Sequence, residues 1–132
     1  MISLSGIGRS FRVGGEEVHA LRDVNLQIAA GEFLSIMGPS GSGKSTLLNV
    51  IGLLDRPDTG RYTLDGSDVT SLADDELARM RREKLGFVFQ FFHLVPRLSA
   101  AQNIELPMVL AGIDPVERRA RLERLLGEYG LQ

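Results

Sequence analysis

Eight consecutive residues carry the chemistry that stands out in this chain: Gly38, Pro39, Ser40, Gly41, Ser42, Gly43, Lys44 and Ser45, with Thr46 next. They fit the spacing G-x-x-x-x-G-K-[ST]. Small residues let backbone N–H groups turn toward an anion with no Cβ in the way. The lysine adds a flexible ammonium for the outer phosphates, and the serine that follows offers a hydroxyl to Mg²⁺. From average composition the bare pattern arises by chance in roughly 1 in 200 chains of this size. Here it is also flanked by an apolar run before it and an apolar helical pattern after it. The chemistry this implies is capture of a phosphate chain.

Such a loop needs a strand to deliver it and a helix to receive it. The run "FLSIM", residues 33–37, reads as a short buried parallel strand. Residues 42–54 read as the helix, with Leu47, Leu48, Val50, Ile51 and Leu54 as its inner face. Ahead of them, residues 2–9 and 18–28 read as strands separated by the turn "VGGEE". After "DRPDTG", the segment "RYTLDG" reads as a strand, residues 71–84 as a charged helix and residues 86–90 as a second buried strand. Ser99 with Gln102 forms a capping-box pattern. Asp114-Pro115 starts a last helix, with Leu122, Leu125, Leu126 and Tyr129 on one face and Gly130 as its stop. The expected architecture is α/β with an antiparallel front end.

Composition narrows the function. The 132 residues carry 15 basic and 17 acidic side chains, a net charge of −2, so nothing favours a nucleic-acid partner. The absence of cysteine excludes disulfides, thiolate metal sites and a cysteine nucleophile. His19 and His93 lack metal-ligand spacing and read as structural or surface residues. The arginines of the last helix interleave with Glu117 and Glu123, the pattern of a solvated helix face. The start reads as no secretory signal, and no apolar stretch approaches the length of a spanning helix, so a membrane role would run through a partner.

The surroundings of the loop narrow the reading further. "MGPSGSGKSTLLNVIGLLDRPDTGRYTLDG" resembles the nucleotide-binding domain of ABC transporters, and "RREKLGFVFQFFHLVPRLSAAQNIELPMVLAG" is similar to that family's Q-loop region. Arg81-Arg82-Glu83, the Phe-Val-Phe-Gln run, Leu-x-Pro-x-Leu and Asn-x-Glu-x-Pro point to the branch that powers lipoprotein release and macrolide or peptide export. The resemblance runs from Leu4 to the last residue. It implies a P-loop NTPase fold: an antiparallel β subdomain plus part of the parallel core over residues 1–90, and the Q-loop with the start of a helical subdomain over 91–132. It implies ATP and Mg²⁺ as ligands, with residues 38–46 around the triphosphate, Lys44 on the β- and γ-phosphates and Ser45 on the metal. It further implies that Gln90 reaches the metal and the attacking water, and that Phe11 stacks on adenine. Residues 91–97 would face the coupling helix of a transmembrane permease subunit, and a second ATP-binding subunit would dimerise head-to-tail. The place of work would be cytoplasmic, peripheral on the inner face of the cell membrane.

The family's later motifs, the LSGGQ-type signature, the Walker B Asp-Glu pair and the switch histidine, do not occur in these residues. Hydrolysis is therefore expected of the intact family domain and not of this stretch alone. By the same resemblance, residues 33–37 and 87–89 would lack the parallel strands they pair with. Two further readings remain open on sequence: a non-catalytic nucleotide-binding module, and a small P-loop phosphotransferase, against which the Q-loop context argues.

Overall fold

The computed structural model describes residues 1–130. The chain divides into two compact units, Met1–Phe87 and Val88–Gln132, the last two residues of the second lying outside those described.

The first unit is built on a four-stranded antiparallel sheet in the order β2-β1-β3-β4. Strands β1 (Ile2–Val13) and β2 (Glu16–Ile28) form a long hairpin, closed where Val13 faces Glu16. Its two-residue loop is Gly14-Gly15, with φ of 60° and 89°. Positive φ at both positions is what a type I′ hairpin turn requires, and glycine supplies it without strain. Register shifts interrupt the ladder between Leu4 and Ser10, on both sides of Ile7. Strand β3 (Thr59–Leu64) pairs with β1 from the other side, and the two-residue β4 (Ser67–Asp68) turns back on β3.

Helix α1 (Lys44–Ile51) and helix α2 (Asp74–Lys84) supply the rest of the core. Leu4, Ile7 and Leu21 from the hairpin meet Val50, Leu53, Tyr62, Leu64, Val69 and Leu77. Of the expected inner face of α1, Val50 is fully buried and Leu47 and Ile51 pack partly against the core. Leu48 and Leu54 are exposed instead. Leu48 stands on the flank of the 47-50-51 stripe. Leu54 falls past the helix end, where Leu53 turns left-handed at φ 55° and the Leu54 N–H donates to the Asn49 carbonyl at 2.8 Å. That is a Schellman-type stop with leucine in the place glycine usually takes. Burial of the Leu53 side chain, and the Arg81 guanidinium donating to its carbonyl at 2.6 Å, offset the strain.

Tyr62 links sheet to helix. Its ring is buried, its hydroxyl donates to the Ile51 carbonyl at 2.8 Å, and burial, then Asp65, pushes the phenol up to about 12. Replacing it with phenylalanine keeps the packing and leaves that carbonyl without its donor. The expected loss is about 1–2 kcal/mol, read as a lower urea midpoint at unchanged slope. An unshifted midpoint would show that solvent replaces the hydroxyl.

Two expected strands are not formed. Residues 33–37 enter no ladder among the described residues, and Phe33 and Met37 are 94% and 87% exposed. Residues 86–90 likewise carry no strand. A strand exists only as a pair, and the described sheet is entirely antiparallel, with neither segment in it. The parallel core expected around the phosphate loop is thus represented by the loop and its helix.

In the second unit, helices α3 (Ala100–Leu110) and α4 (Pro115–Glu128) pack on each other. Both begin as the sequence indicates. The Ser99 hydroxyl accepts from Gln102 N–H while the Gln102 side chain accepts from Ser99 N–H, and Asp114 caps α4 ahead of Pro115. Leu122, Leu125 and Leu126 are half-buried, whereas Tyr129 is exposed.

Candidate functional site

The glycine-rich loop lies against the back of the hairpin. A Cβ on Gly43 would stand 2.4 Å from the Ala20 carbonyl oxygen and 3.3 Å from Leu21 Cδ2, and its φ of 87° is left-handed. Strand β2 therefore braces the loop at the point where α1 begins, and only glycine permits the approach.

That helix start is chemically unlike the other three. α2 has Asp74, Asp75 and Glu76 in its first turn, α3 has Ser99, and α4 has Asp114 with Glu117. α1 has no side-chain cap and no acidic residue in its first turn. Its N-terminal N–H groups and partial positive charge therefore meet no capping or acidic side chain of the helix's own.

Lys44 sits within the loop it serves. Its Nζ donates to the Pro39 carbonyl at 2.6 Å and approaches Ser42 Oγ at 3.4 Å, while Ser42 N–H donates to the same Pro39 carbonyl at 3.3 Å. The ammonium thus already has an oxygen acceptor, supplied by the loop itself. The loop from Ser40 to Thr46 and residues Val18, His19 and Ala20 of β2 enclose an open hollow of about 260 Å³. Its lining offers backbone N–H groups, the ammonium and serine hydroxyls as donors, with His19 beside them. These residues fit a triphosphate. They fit Mg²⁺ only jointly with one, because the described residues contain no cluster of His, Asp and Glu able to hold a cation alone. Ser45 would then add a hydroxyl to a metal carried chiefly by phosphate oxygens and water.

Phe11 lies on β1 opposite Val18, a residue of the hollow's rim, and is 37% exposed. The Arg9 guanidinium covers its ring at 4.8 Å from the centroid. Arg9 is in turn held by Asp55, Nε at 2.9 Å and Nη2 at 2.8 Å, and by Asp58, Nη1 at 2.6 Å. The Ser10 N–H, followed by the Arg9 guanidinium, holds the Asp58 carboxyl below the usual carboxylate range. A carboxylate depressed in the folded state stabilises above its unfolded pKa and loses that contribution as pH falls through the lowered value. The Arg9–Asp58 tie should therefore persist through mildly acidic pH, and a carbon-detected carboxyl titration of Asp58 should show a midpoint below 3.8. An ordinary midpoint would show the tie absent in solution.

Gln90 belongs to the second unit, where it is exposed in a bend. After it come Phe91, Phe92 and Leu94, each well over half exposed. His93 takes a left-handed φ of 46°, brings Nδ1 within 2.8 Å of the Phe91 carbonyl, and lies 4.8 Å from the Phe89 ring, all local packing. His19 has a Ser10 hydroxyl at 2.7 Å from Nδ1 and lines the hollow. Its place there, like that of Val18, follows from the hairpin register; no motif marks it.

The ABC transporter family model matches residues 21–132. An ABC transporter ATP-binding protein of Bacillus subtilis, YvrO, is 54% identical over the whole of this chain, which covers 58% of it. The macrolide export ATP-binding/permease protein MacB of Marinobacter nauticus is 52% identical over 99% of this chain and 20% of its own length. Among solved structures, the dimeric post-hydrolysis ATP-binding cassette MJ0796 bound to ADP and Pi superposes with a TM-score of 0.85 at 47% identity, covering 96% of this chain and 56% of that one. The chain therefore spans a little over half the length of these single-cassette relatives.

Proposed function

This chain belongs to the ABC transporter family, and from that premise we propose that it is the nucleotide-gripping portion of a transport ATPase. The observation that carries the reading is the uncapped start of α1 with Lys44 poised over it, its ammonium on a carbonyl oxygen at 2.6 Å. Residues 38–46 bind the triphosphate of ATP. Lys44 exchanges the Pro39 carbonyl for β- and γ-phosphate oxygens, and Ser45 joins the coordination of Mg²⁺. Phe11 stacks on the adenine at the hollow's rim. Gln90 serves the metal and the attacking water in the intact domain. When bound, the metal draws charge off the phosphates being separated.

Turnover needs groups that are not among these 132 residues: a signature motif facing the γ-phosphate, a Walker B aspartate and its neighbouring glutamate. The 132 residues alone bind nucleotide without hydrolysing it; the intact protein hydrolyses it as a head-to-tail dimer. The exposed Phe91, Phe92 and Leu94 support a contact between residues 91–97 and a permease coupling helix. No described helix is long and apolar enough to cross a membrane. The intact ATPase works at the cytoplasmic face through that permease, and similarity to MacB favours an exporting or lipoprotein-releasing partner.

Competition binding tests the grip. A fluorescent ATP analogue with Mg²⁺ should bind this chain and be displaced by ATP and by inorganic tripolyphosphate. Failure of tripolyphosphate to compete would remove the phosphate loop from the mechanism.

A further inference from the structure

We propose that Arg9 is a positioning residue for base recognition: clamped by Asp55 and Asp58, it fixes the Phe11 ring as a platform for the adenine. The inference rests on the stacking role of Phe11 proposed above, and goes beyond it by assigning the group that holds the ring.

Arg9 and Phe11 are two apart on β1, so their side chains rise from the same face of the strand. In the β1–β2 ladder Arg9 faces Leu21, a core residue, and Phe11 faces Val18 at the hollow's rim. The guanidinium cannot wander. Asp55 takes it side-on through two bonds of 2.9 and 2.8 Å, and Asp58 takes a third nitrogen at 2.6 Å. Asp58 is itself anchored, its second oxygen accepting from Ser10 N–H at 2.7 Å. Such a bidentate carboxylate pair sets the plane of the guanidinium as well as its position.

The fixed cation then meets one face of Phe11 at 4.8 Å. A cation over an aromatic face is attracted by the ring quadrupole. Phenylalanine has no hydroxyl with which to tether itself, and at 37% exposure part of the Phe11 ring stands open to solvent. Arg9 supplies the missing restraint and leaves the ring's remaining surface to the base. The aspartates come from the connection between α1 and β3, directly beyond the helix that carries the phosphate loop. One carboxylate pair thus joins the base platform to the end of the phosphate-binding helix.

The test uses the intact protein, with ATP and inorganic tripolyphosphate as separate probes. Phe11→Ala should weaken ATP and spare tripolyphosphate. Arg9→Met should weaken ATP by about two- to fivefold, the scale of a cation–aromatic contact, and also spare tripolyphosphate. In the Phe11→Ala background Arg9→Met should have no further effect, because the ring it holds is gone. Asp58→Asn, which keeps the Asp55 bonds, should fall between wild type and Arg9→Met. Arg9→Met with unchanged or tighter ATP binding would overturn the proposal while leaving the stacking role intact. An equal loss for both probes, or an undiminished loss in the Phe11→Ala background, would make Arg9 a general structural residue and overturn it too. Phe11→Ala binding ATP like wild type would remove the stacking role, and the clamp with it.

Discussion

Lys44→Ala should abolish ATP turnover by the intact protein and weaken tripolyphosphate binding to this chain. The ammonium has no competing duty in the fold. Its bonds are to the loop itself, the Pro39 carbonyl at 2.6 Å and Ser42 Oγ at 3.4 Å, and Lys44 takes part in no ion pair among the described residues. Its removal should therefore leave stability nearly unchanged. A hydrogen bond to a charged group contributes about 1.5–3 kcal/mol, so affinity should fall on the order of ten- to hundredfold. Where charge grows on the γ-phosphate, loss of a fixed donor should lower the rate by about 10²–10³ or more. Isothermal titration with tripolyphosphate and a phosphate-release assay separate the two effects. Wild-type turnover in the variant would refute the assignment of Lys44.

Gly43→Ala should be as damaging by a different route. The added methyl meets the Ala20 carbonyl at 2.4 Å, and the backbone φ of 87° is one that alanine avoids. Neither obstacle is a flexible side-chain tip. Either the loop lifts off β2 or the first turn of α1 rotates, and in both cases the N–H groups lose their common focus. Strain of this kind costs about 1–3 kcal/mol. Unlike Lys44→Ala, this change should lower the urea midpoint as well as phosphate affinity. Full retention of both would show that strand and loop are not in contact in solution.

The glycine-rich loop ahead of α1 was legible because its features are local: eight adjacent residues specify backbone shape, charge and hydroxyl together. The hairpin, the Ser99 capping box and the Asp114-Pro115 start were legible for the same reason, each being set by contacts a few residues apart. The runs at residues 33–37 and 86–90 look like strands in composition but form none, because β-branched and aromatic residues only permit a strand and a partner must complete it. The burial of Leu53 in place of Leu54 turns on a single left-handed residue past the helix end. The Arg9 clamp was invisible for a further reason: its acceptors lie 46 and 49 residues away, and no periodicity links them. The same holds for His19 and Val18 at the rim, which arrive there through cross-strand register.

The bond between Lys44 and the Pro39 carbonyl means that the loop carries an oxygen ligand of its own for the ammonium. Under the proposed grip, nucleotide would substitute one oxygen ligand for another, and the lysine would begin and end the event tethered. The free energy of docking would then be the difference between two anchored states, and the same carbonyl would take the ammonium back when nucleotide leaves.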